Sequence, residues 1–171
     1  MTETNRCIGF APSIDADCTI LILGSMPSAA SLAAGAYYAH PQNRFWPLMA
    51  RLLEGRSSPP DTYAARLRML LRHHVALWDA IDACDRKGSL DSAIKNETAN
   101  DFAVFLEKWP AIHTIGLNGG KAYASFARAN RSLLYRPGLR VMKLPSTSPA
   151  NARWRMADLI KAWSLLFDSC S

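Results

Sequence analysis

Short apolar runs alternate with longer amphipathic segments along this chain. Four apolar runs have the length and composition of buried strands, at residues 18–24, 74–78, 112–117 and 139–144. The segments between and after them place apolar residues on one helical face, and they predict helices at residues 47–53, 61–72, 102–109, 119–129 and 150–167. Alternating strands and helices are typical of βαβ units. We therefore predict an α/β fold with three α/β/α layers around a central, mainly parallel four-stranded sheet.

Local signals mark three of the helix starts. Pro47 is favoured in a first helical turn. Asp61 can cap the next helix, and Asn100 or Asp101 can cap the one after it.

Three polar loops follow predicted strands, at residues 24–28, 117–120 and 144–151. The carboxyl ends of parallel strands meet at one edge of a sheet, where such folds bind their ligands. We therefore expect the three loops to converge on one site.

Size and charge narrow the range of partners. With 171 residues, we expect one domain over residues 1–171. Lys and Arg number 20 against 14 Asp and Glu, a formal net charge of +6 that is compatible with a polyanionic partner such as nucleic acid. The chain contains no run of basic residues, so a DNA-binding surface would have to be assembled by the fold.

Composition also excludes some classes of protein. No apolar run approaches the roughly 18 residues that a membrane span needs, and the N-terminus lacks the pattern of a secretory signal. We expect a cytoplasmic monomer. The four cysteines are scattered and predict neither a zinc site nor a disulfide framework, and they are Cys7, Cys18, Cys84 and Cys170. We expect no metal and no cofactor.

The loop at residues 24–28 contains a Gly-x-x-Pro turn directly after a buried strand. Backbone N–H groups exposed in such a turn can hold an oxyanion or a base carbonyl. A plain connection between a strand and a helix gives the same pattern.

The segment at residues 37–46 combines aromatic and polar side chains. Tyr38 can stack on a planar base, and the Asn43 amide can orient a water molecule or read a base edge. The alternative is that Phe45 and Trp46 simply anchor the next helix in the core.

The other two loops carry weaker signals. Residues 144–151 hold serine and threonine hydroxyls between two prolines before a predicted helix, which suits phosphate binding, although a helix cap explains them equally well. Asn118 begins an Asn-Gly-Gly turn and is a candidate second polar group of the same pocket.

These segments resemble the uracil-DNA glycosylase superfamily. Residues 37–46 are similar to a motif of the mismatch-specific uracil-DNA glycosylases, but Met26 stands where that branch has its catalytic Asn, and Ser28 replaces a Gly. The resemblance to the hypoxanthine-DNA (deoxyinosine) glycosylase branch is closer. It covers five motifs in the same order, at residues 24–28, 37–46, 84–92, 118–119 and 144–150.

The resemblance implies a monofunctional DNA glycosylase of base excision repair. Such an enzyme flips a deaminated base, hypoxanthine or uracil, out of DNA and hydrolyses its N-glycosidic bond. The branch lacks the usual first-motif Asn, and Asn43 and Asn118 are its implicated catalytic positions. Negative charge builds on the departing base, so the reaction needs a hydrogen-bond donor at the base and a positioned water molecule, and it needs no metal.

The remaining site residues fall into two predicted groups. The base-binding group is Gly24, Ser25, Met26, Pro27, Ser28, Tyr38 and His40. The DNA-binding group is Arg44, Ser146, Thr147, Ser148, Pro149, Asn151 and Arg153. Residues 146–149 are also expected to fill the gap that the flipped base leaves.

Two other classes of function stay open. A non-catalytic module that binds damaged DNA is favoured by Met26, which occupies the superfamily's usual catalytic position. A nucleoside-processing α/β enzyme would share the sheet without binding duplex DNA.

Overall fold

The computed structural model describes residues 5–168, so Cys170 lies outside the described residues. Its strands are β1 (Arg6–Ile8), β2 (Ile20–Gly24), β3 (Val75–Asp79), β4 (Ile81–Asp85), β5 (Lys95–Ala99), β6 (Thr114–Asn118) and β7 (Arg140–Leu144). Its α-helices are α1 (Ala29–Ala34), α2 (Phe45–Glu54), α3 (Tyr63–Arg72), α4 (Phe102–Lys108), α5 (Gly120–Ala129) and α6 (Met156–Ser164).

The central sheet contains the four predicted strands, in the order β3-β2-β6-β7, and all its pairs are parallel. Alternate residues of β2 enter different cores. Ile22 packs with α2, α3 and α6 on one face of the sheet, and Leu21 and Leu23 pack with α4 and α5 on the other. Burial of both faces explains why β2 is apolar throughout. The predicted three-layer α/β fold is confirmed.

A second, antiparallel sheet of order β1-β4-β5 was not predicted. A single residue, Ala80, separates its strand β4 from β3. The side chains of β1 and β5 are largely exposed, so their sequences lack the apolar signal of a buried strand. This sheet matters because the loop between β4 and β5 reaches the candidate site.

Two helix starts differ slightly from the prediction. Helix α2 begins at Phe45, and Pro47 lies within its first turn, where the missing N–H costs little. Helix α3 is capped by Thr62 instead of Asp61, because the Thr62 hydroxyl accepts a hydrogen bond from the Ala65 N–H over 3.1 Å.

The last helix was predicted to begin at residue 150, and that prediction is wrong. Helix α6 begins at Met156 and is followed by a short 3-10 helix, Leu165–Phe167. The Arg44 guanidinium accounts for the difference, since it donates to the carbonyls of Ser148, Asn151 and Trp154 and holds the chain before Met156 in turns. The loop at residues 144–151 is therefore not a helix N-terminus.

Within residues 5–168, no helix has both the length and the apolar character needed to cross a membrane.

Candidate active site

A cleft of about 1010 Å³ opens at the carboxyl edge of the central sheet. All three predicted loops line it, so the structure brings Asn43, Asn118, Tyr38 and the segment at residues 24–28 together. Residues 89–91, from the loop between β4 and β5, form a further wall that the sequence did not predict. The volume is enough to enclose a nucleobase.

The Asn43 side chain has a fixed orientation at this cleft. Its Oδ1 accepts two hydrogen bonds, one from the Phe45 N–H at 2.9 Å and one from the Thr147 hydroxyl at 2.9 Å. Both partners donate to the oxygen, and Nδ2 has no hydrogen-bond partner within residues 5–168, so it is left to donate to a ligand in the cleft that Asn43 lines. The bond to Phe45 also means that Asn43 supports the start of α2, as a helix-capping interpretation requires.

Thr147 connects the two candidate asparagines. Its backbone N–H donates to Asn118 Oδ1 over 3.0 Å, and its hydroxyl oxygen accepts from Asn118 Nδ2 over 3.0 Å. The single hydroxyl hydrogen is then available only for Asn43. The hydrogen bonds through the Thr147 hydroxyl therefore run in one direction, from Asn118 to Thr147 to Asn43.

The burial of this network changes two expected roles. Thr147 is 0% exposed, which corrects the expectation that its side chain contacts DNA. Asn118 is 8% exposed, and its Nδ2 also donates to the Tyr38 hydroxyl over 3.1 Å. With three bonds inside the protein, the Asn118 amide has little capacity left for a base or a water molecule.

Tyr38 lies half-buried on the cleft wall, with a left-handed backbone at φ 54°. Its ring stacks on Phe45, with centroids 4.0 Å apart. Burial raises the pKa of the Tyr38 hydroxyl above its ordinary range, and the negative charge of Asp79 adds to this shift. The hydroxyl therefore keeps its proton. Phe45 and Trp46 are buried in the core, as the alternative interpretation of this segment proposed for them.

Asp79, at the end of β3, is a site residue that the sequence analysis missed. It lies beside Gly24 in the sheet register, and a Cβ built on Gly24 would lie 2.6 Å from Asp79 Oδ1. A side chain at position 24 would therefore force the Asp79 carboxyl group to move. Asp79 is 4% exposed, and its Oδ2 has no hydrogen-bond partner among residues 5–168.

The surroundings of Asp79 raise the pKa of its carboxyl group. Burial raises its pKa to about 7; the positive charge of Arg86 opposes this shift, and the negative charge of Asp91 adds to it. A buried, unpartnered carboxyl group in a cleft is a common mark of a functional site. The sequence signal was a charged residue at the end of an otherwise apolar run.

All five residues of the first loop line the cleft, but three of their side chains are engaged within the protein. Met26 is 6% exposed and packs with Ile81 and Cys84 beneath the loop. The Ser28 hydroxyl caps α1 by accepting from the Ser31 N–H over 3.1 Å. The Ser25 hydroxyl donates to Asp91 Oδ1 over 2.7 Å. The backbone of this loop is therefore what it offers to a ligand.

Arg86 supports the same loop from below. It is 4% exposed, and its guanidinium donates to the Pro27 carbonyl. Its Nε and Nη1 atoms are buried and have no partner within residues 5–168. The positive charge of Arg86 thus lies close to the backbone of residues 24–28. The sequence placed Arg86 in a motif but gave it no role.

The other predicted residues lie at the rim. His40 lines the cleft, and its Nδ1 accepts from the Gln42 N–H over 3.1 Å. Ser146, Ser148, Pro149 and Asn151 are partly exposed along one wall, and Arg153 is exposed beside them. Arg44 does not reach outward as expected, because its guanidinium donates to four backbone carbonyls. No group of three or more His, Cys, Asp or Glu side chains within the described range lies together as metal ligands do.

The chain is similar to known proteins over most of its length. A family model described as the uracil DNA glycosylase superfamily matches residues 11–167. A hypoxanthine DNA glycosylase of Methanosarcina acetivorans is 37% identical over 146 residues, which are 85% of this chain and 89% of the relative. A hypoxanthine DNA glycosylase of Methanosarcina barkeri is 36% identical over 147 residues, which are 85% of this chain and 88% of the relative.

A solved structure agrees with these matches. The solution NMR structure of a candidate uracil DNA glycosylase from Methanosarcina acetivorans superimposes with a TM-score of 0.75 at 33% sequence identity. The superposition covers 95% of this chain and 99% of that protein.

Proposed function

The chain belongs to the uracil DNA glycosylase superfamily and is a DNA N-glycosylase for deaminated bases, and we propose that hypoxanthine is its main substrate. The names of the two relatives support this choice of base. The observation that carries the proposed catalysis is the orientation of Asn43, which lines the cleft and whose oxygen accepts from Phe45 and Thr147, so that its Nδ2 is left to donate to a base. Base excision repair is the expected role.

The proposed chemistry depends on the charge that forms as the base leaves. Cleavage of the N-glycosidic bond leaves an oxocarbenium-like sugar and places negative charge on the base. A water molecule then bonds to the sugar carbon, and the proton that it loses neutralises the departed base. A donor that is already oriented stabilises that charge without reorganisation at the moment of reaction. We assign this donor to Asn43 Nδ2, supplemented by backbone N–H groups of residues 24–28.

Asn118 takes a positioning role in this proposal. Its amide bonds to Thr147 and Tyr38, and it acts on the base only through them. Tyr38 provides an aromatic wall for the flipped base. Met26 leaves the position of the superfamily's usual catalytic Asn without a polar side chain, which makes the Asn43 donor more important.

DNA contacts are proposed for the outer wall of the cleft. Ser146, Ser148 and Asn151 present hydroxyl and amide groups there, and Arg153 adds a positive charge. These groups suit the phosphates on either side of a flipped nucleotide. We propose that the protein acts as one domain and as a monomer in the cytoplasm.

The test is a lesion panel. Matched oligonucleotides carrying hypoxanthine, uracil or xanthine, single-stranded and duplex, are incubated with the protein and treated with alkali to cleave abasic sites. We expect hypoxanthine to be released fastest, and the Asn43→Asp variant controls for a contaminating glycosylase. Lesion binding without abasic sites would instead indicate the non-catalytic module that Met26 favours. Cleavage of free deoxyinosine, but not of DNA, would indicate a nucleoside-processing enzyme.

A further inference from the structure

Asp79 carries a buried carboxyl group that the chemistry assigned to Asn43 does not use. The residue lies at the end of β3 and lines the cleft, although its side chain is almost completely buried. Its Oδ2 atom is enclosed and has no hydrogen-bond partner within residues 5–168. Buried polar atoms are nearly always paired in folded proteins, so an unpaired carboxyl oxygen at a ligand cleft indicates a role toward the ligand.

The backbone next to Asp79 is fixed against the loop that follows β2. The Ala80 N–H donates to the Gly24 carbonyl over 2.8 Å. The Ile81 N–H donates to the Ser25 carbonyl over 3.0 Å. The Asp79 carboxyl group therefore keeps one position relative to a base that this loop holds.

The two charged groups that act on Asp79 oppose each other. Arg86 favours the ionised carboxylate, and Asp91 disfavours it. Burial is the largest influence, and it raises the pKa of Asp79 to about 7. A base that fills the cleft would exclude the remaining water and favour the protonated form further. Burial also raises the pKa of three tyrosine hydroxyls on which the charge of Asp79 acts, so they stay neutral, and they belong to Tyr37, Tyr38 and Tyr63.

A neutral carboxyl group beside a departing base can supply a proton to it. Breaking the N-glycosidic bond leaves an electron pair on the base, and a purine such as hypoxanthine has lone pairs on other ring nitrogens as well. Protonation of the base reduces the negative charge that Asn43 must stabilise, and it makes the base a better leaving group. A carboxylate at the same position would instead repel that charge.

We propose that Asp79 is the general acid of base release and that its carboxyl proton moves to a ring nitrogen of hypoxanthine as the N-glycosidic bond breaks. The O–H bond of Asp79 breaks, an N–H bond forms on the base, and the electron pair of the N-glycosidic bond passes to the base. A water molecule then bonds to the sugar carbon, and the proton that it loses returns to the Asp79 carboxylate. The net result is a proton passed from water to the base. The proposal rests on the proposed function, since it needs a base to be released.

The first measurement is the pH dependence of hypoxanthine excision from a duplex, under single-turnover conditions between about pH 5.5 and pH 8.5. Enzyme is kept below saturation, so that the profile reports the pKa of the free protein. The wild-type rate should be level below the pKa of about 7 and fall about tenfold for each pH unit above it. Asp79→Asn keeps the shape of the side chain but has no acid proton, so it should lose about 10²–10⁴ in rate and show no such fall.

Two further readouts separate proton transfer from a structural effect. Proton transfer during cleavage slows the reaction in deuterated water, so the slowing should be larger in wild type than in Asp79→Asn. Asp85→Asn is the matched control, because Asp85 lies outside the cleft lining and its carboxyl group is paired with Arg6 and Asn96. This control should keep the wild-type rate, pH profile and isotope effect, and thermal melting shows whether each variant is folded.

The outcomes distinguish this proposal from the proposed function. If wild type forms abasic sites and Asp79→Asn matches it in rate and pH profile, the general acid is overturned and the glycosylase stands. A level wild-type profile across this pH range would also overturn it. So would a slow Asp79→Asn variant that keeps the fall above pH 7 and the full isotope effect, because Asp79 would then act only through the shape of the site. If wild type forms no abasic site from any lesion, the proposed function fails and the general acid fails with it.

Discussion

Thr147 donates its only hydroxyl hydrogen to Oδ1 of Asn43 across 2.9 Å, in a position that solvent does not reach. The hydroxyl oxygen accepts from Asn118, so the direction of the bond to Asn43 is determined. A residue that had been expected to touch DNA thus orients the Asn43 amide at the cleft. The proposed chemistry depends on this orientation.

Replacing Thr147 tests the orientation directly. Thr147→Val keeps the shape but removes the hydroxyl, so Asn43 loses one of the two bonds that fix its amide. We expect a loss of about tenfold or more in single-turnover excision, with lesion binding nearly unchanged, because one such bond contributes about 1–3 kcal/mol when its partner is left buried. Thr147→Ser keeps the hydroxyl and should retain most of the rate. If valine and serine behave alike, Thr147 is not the positioning residue.

Asp79 should make the folded protein less stable as pH rises. Its pKa of about 7 lies above its ordinary value of 3.8, so the folded state binds the proton more tightly than the unfolded state does. The stability that the protonated group retains at low pH is lost between about pH 4 and pH 7. The difference between the two pKa values corresponds to an upper bound of about 4 kcal/mol.

The measurement for Asp79 is thermal melting across pH. Asp79→Asn should melt at a higher temperature than wild type at pH 8, with a smaller difference at pH 4. Asp85→Asn is the control with the opposite sign, because hydrogen bonds from Asn96 and Arg6 lower the pKa of Asp85. A destabilised Asp79→Asn protein at pH 8 would show that Asp79 has a charged partner in the fold.

Arg44 allows the structural and DNA-binding roles to be separated. Its guanidinium donates to four backbone carbonyls of the segment before α6, so Arg44→Ala should lower the melting temperature. A phosphate contact would instead contribute about 0.9 to the slope of log affinity against log salt. We expect that slope to stay unchanged in Arg44→Ala and to fall in Arg153→Ala. A slope that falls in Arg44→Ala and stays unchanged in Arg153→Ala would show that Arg44, and not Arg153, contacts a phosphate.

The sheet and the convergence of its loops could be predicted because both follow from local patterns. Four apolar runs identified the strands, and parallel pairing placed their following loops at one edge. Asn43 was found because polar and aromatic residues cluster around it in the sequence. These features can be predicted without knowing which distant parts of the chain come into contact.

The missed features depend on contacts between distant parts of the chain. Arg44 determines where α6 begins, more than a hundred residues later. Asp79 belongs to the site because burial isolates its carboxyl group beside Gly24, and nothing in the local sequence shows that neighbour. The exposed strand β5 carries no apolar alternation, so the loop before it, with Leu90, was not assigned to the cleft.

The central claim is that Asn43 acts through its Nδ2 donor, and Asn43→Asp tests it most directly. An aspartate can still accept from Phe45 and Thr147, so the start of α2 keeps its support, but it cannot donate to the base and it repels negative charge forming there. Single-turnover excision of hypoxanthine from a duplex is measured at saturating enzyme, with thermal melting to check folding. The account predicts near wild-type stability and a rate loss of about 10²–10³, typical for one oriented donor. A folded Asn43→Asp protein that cleaves within a few-fold of wild type would contradict it.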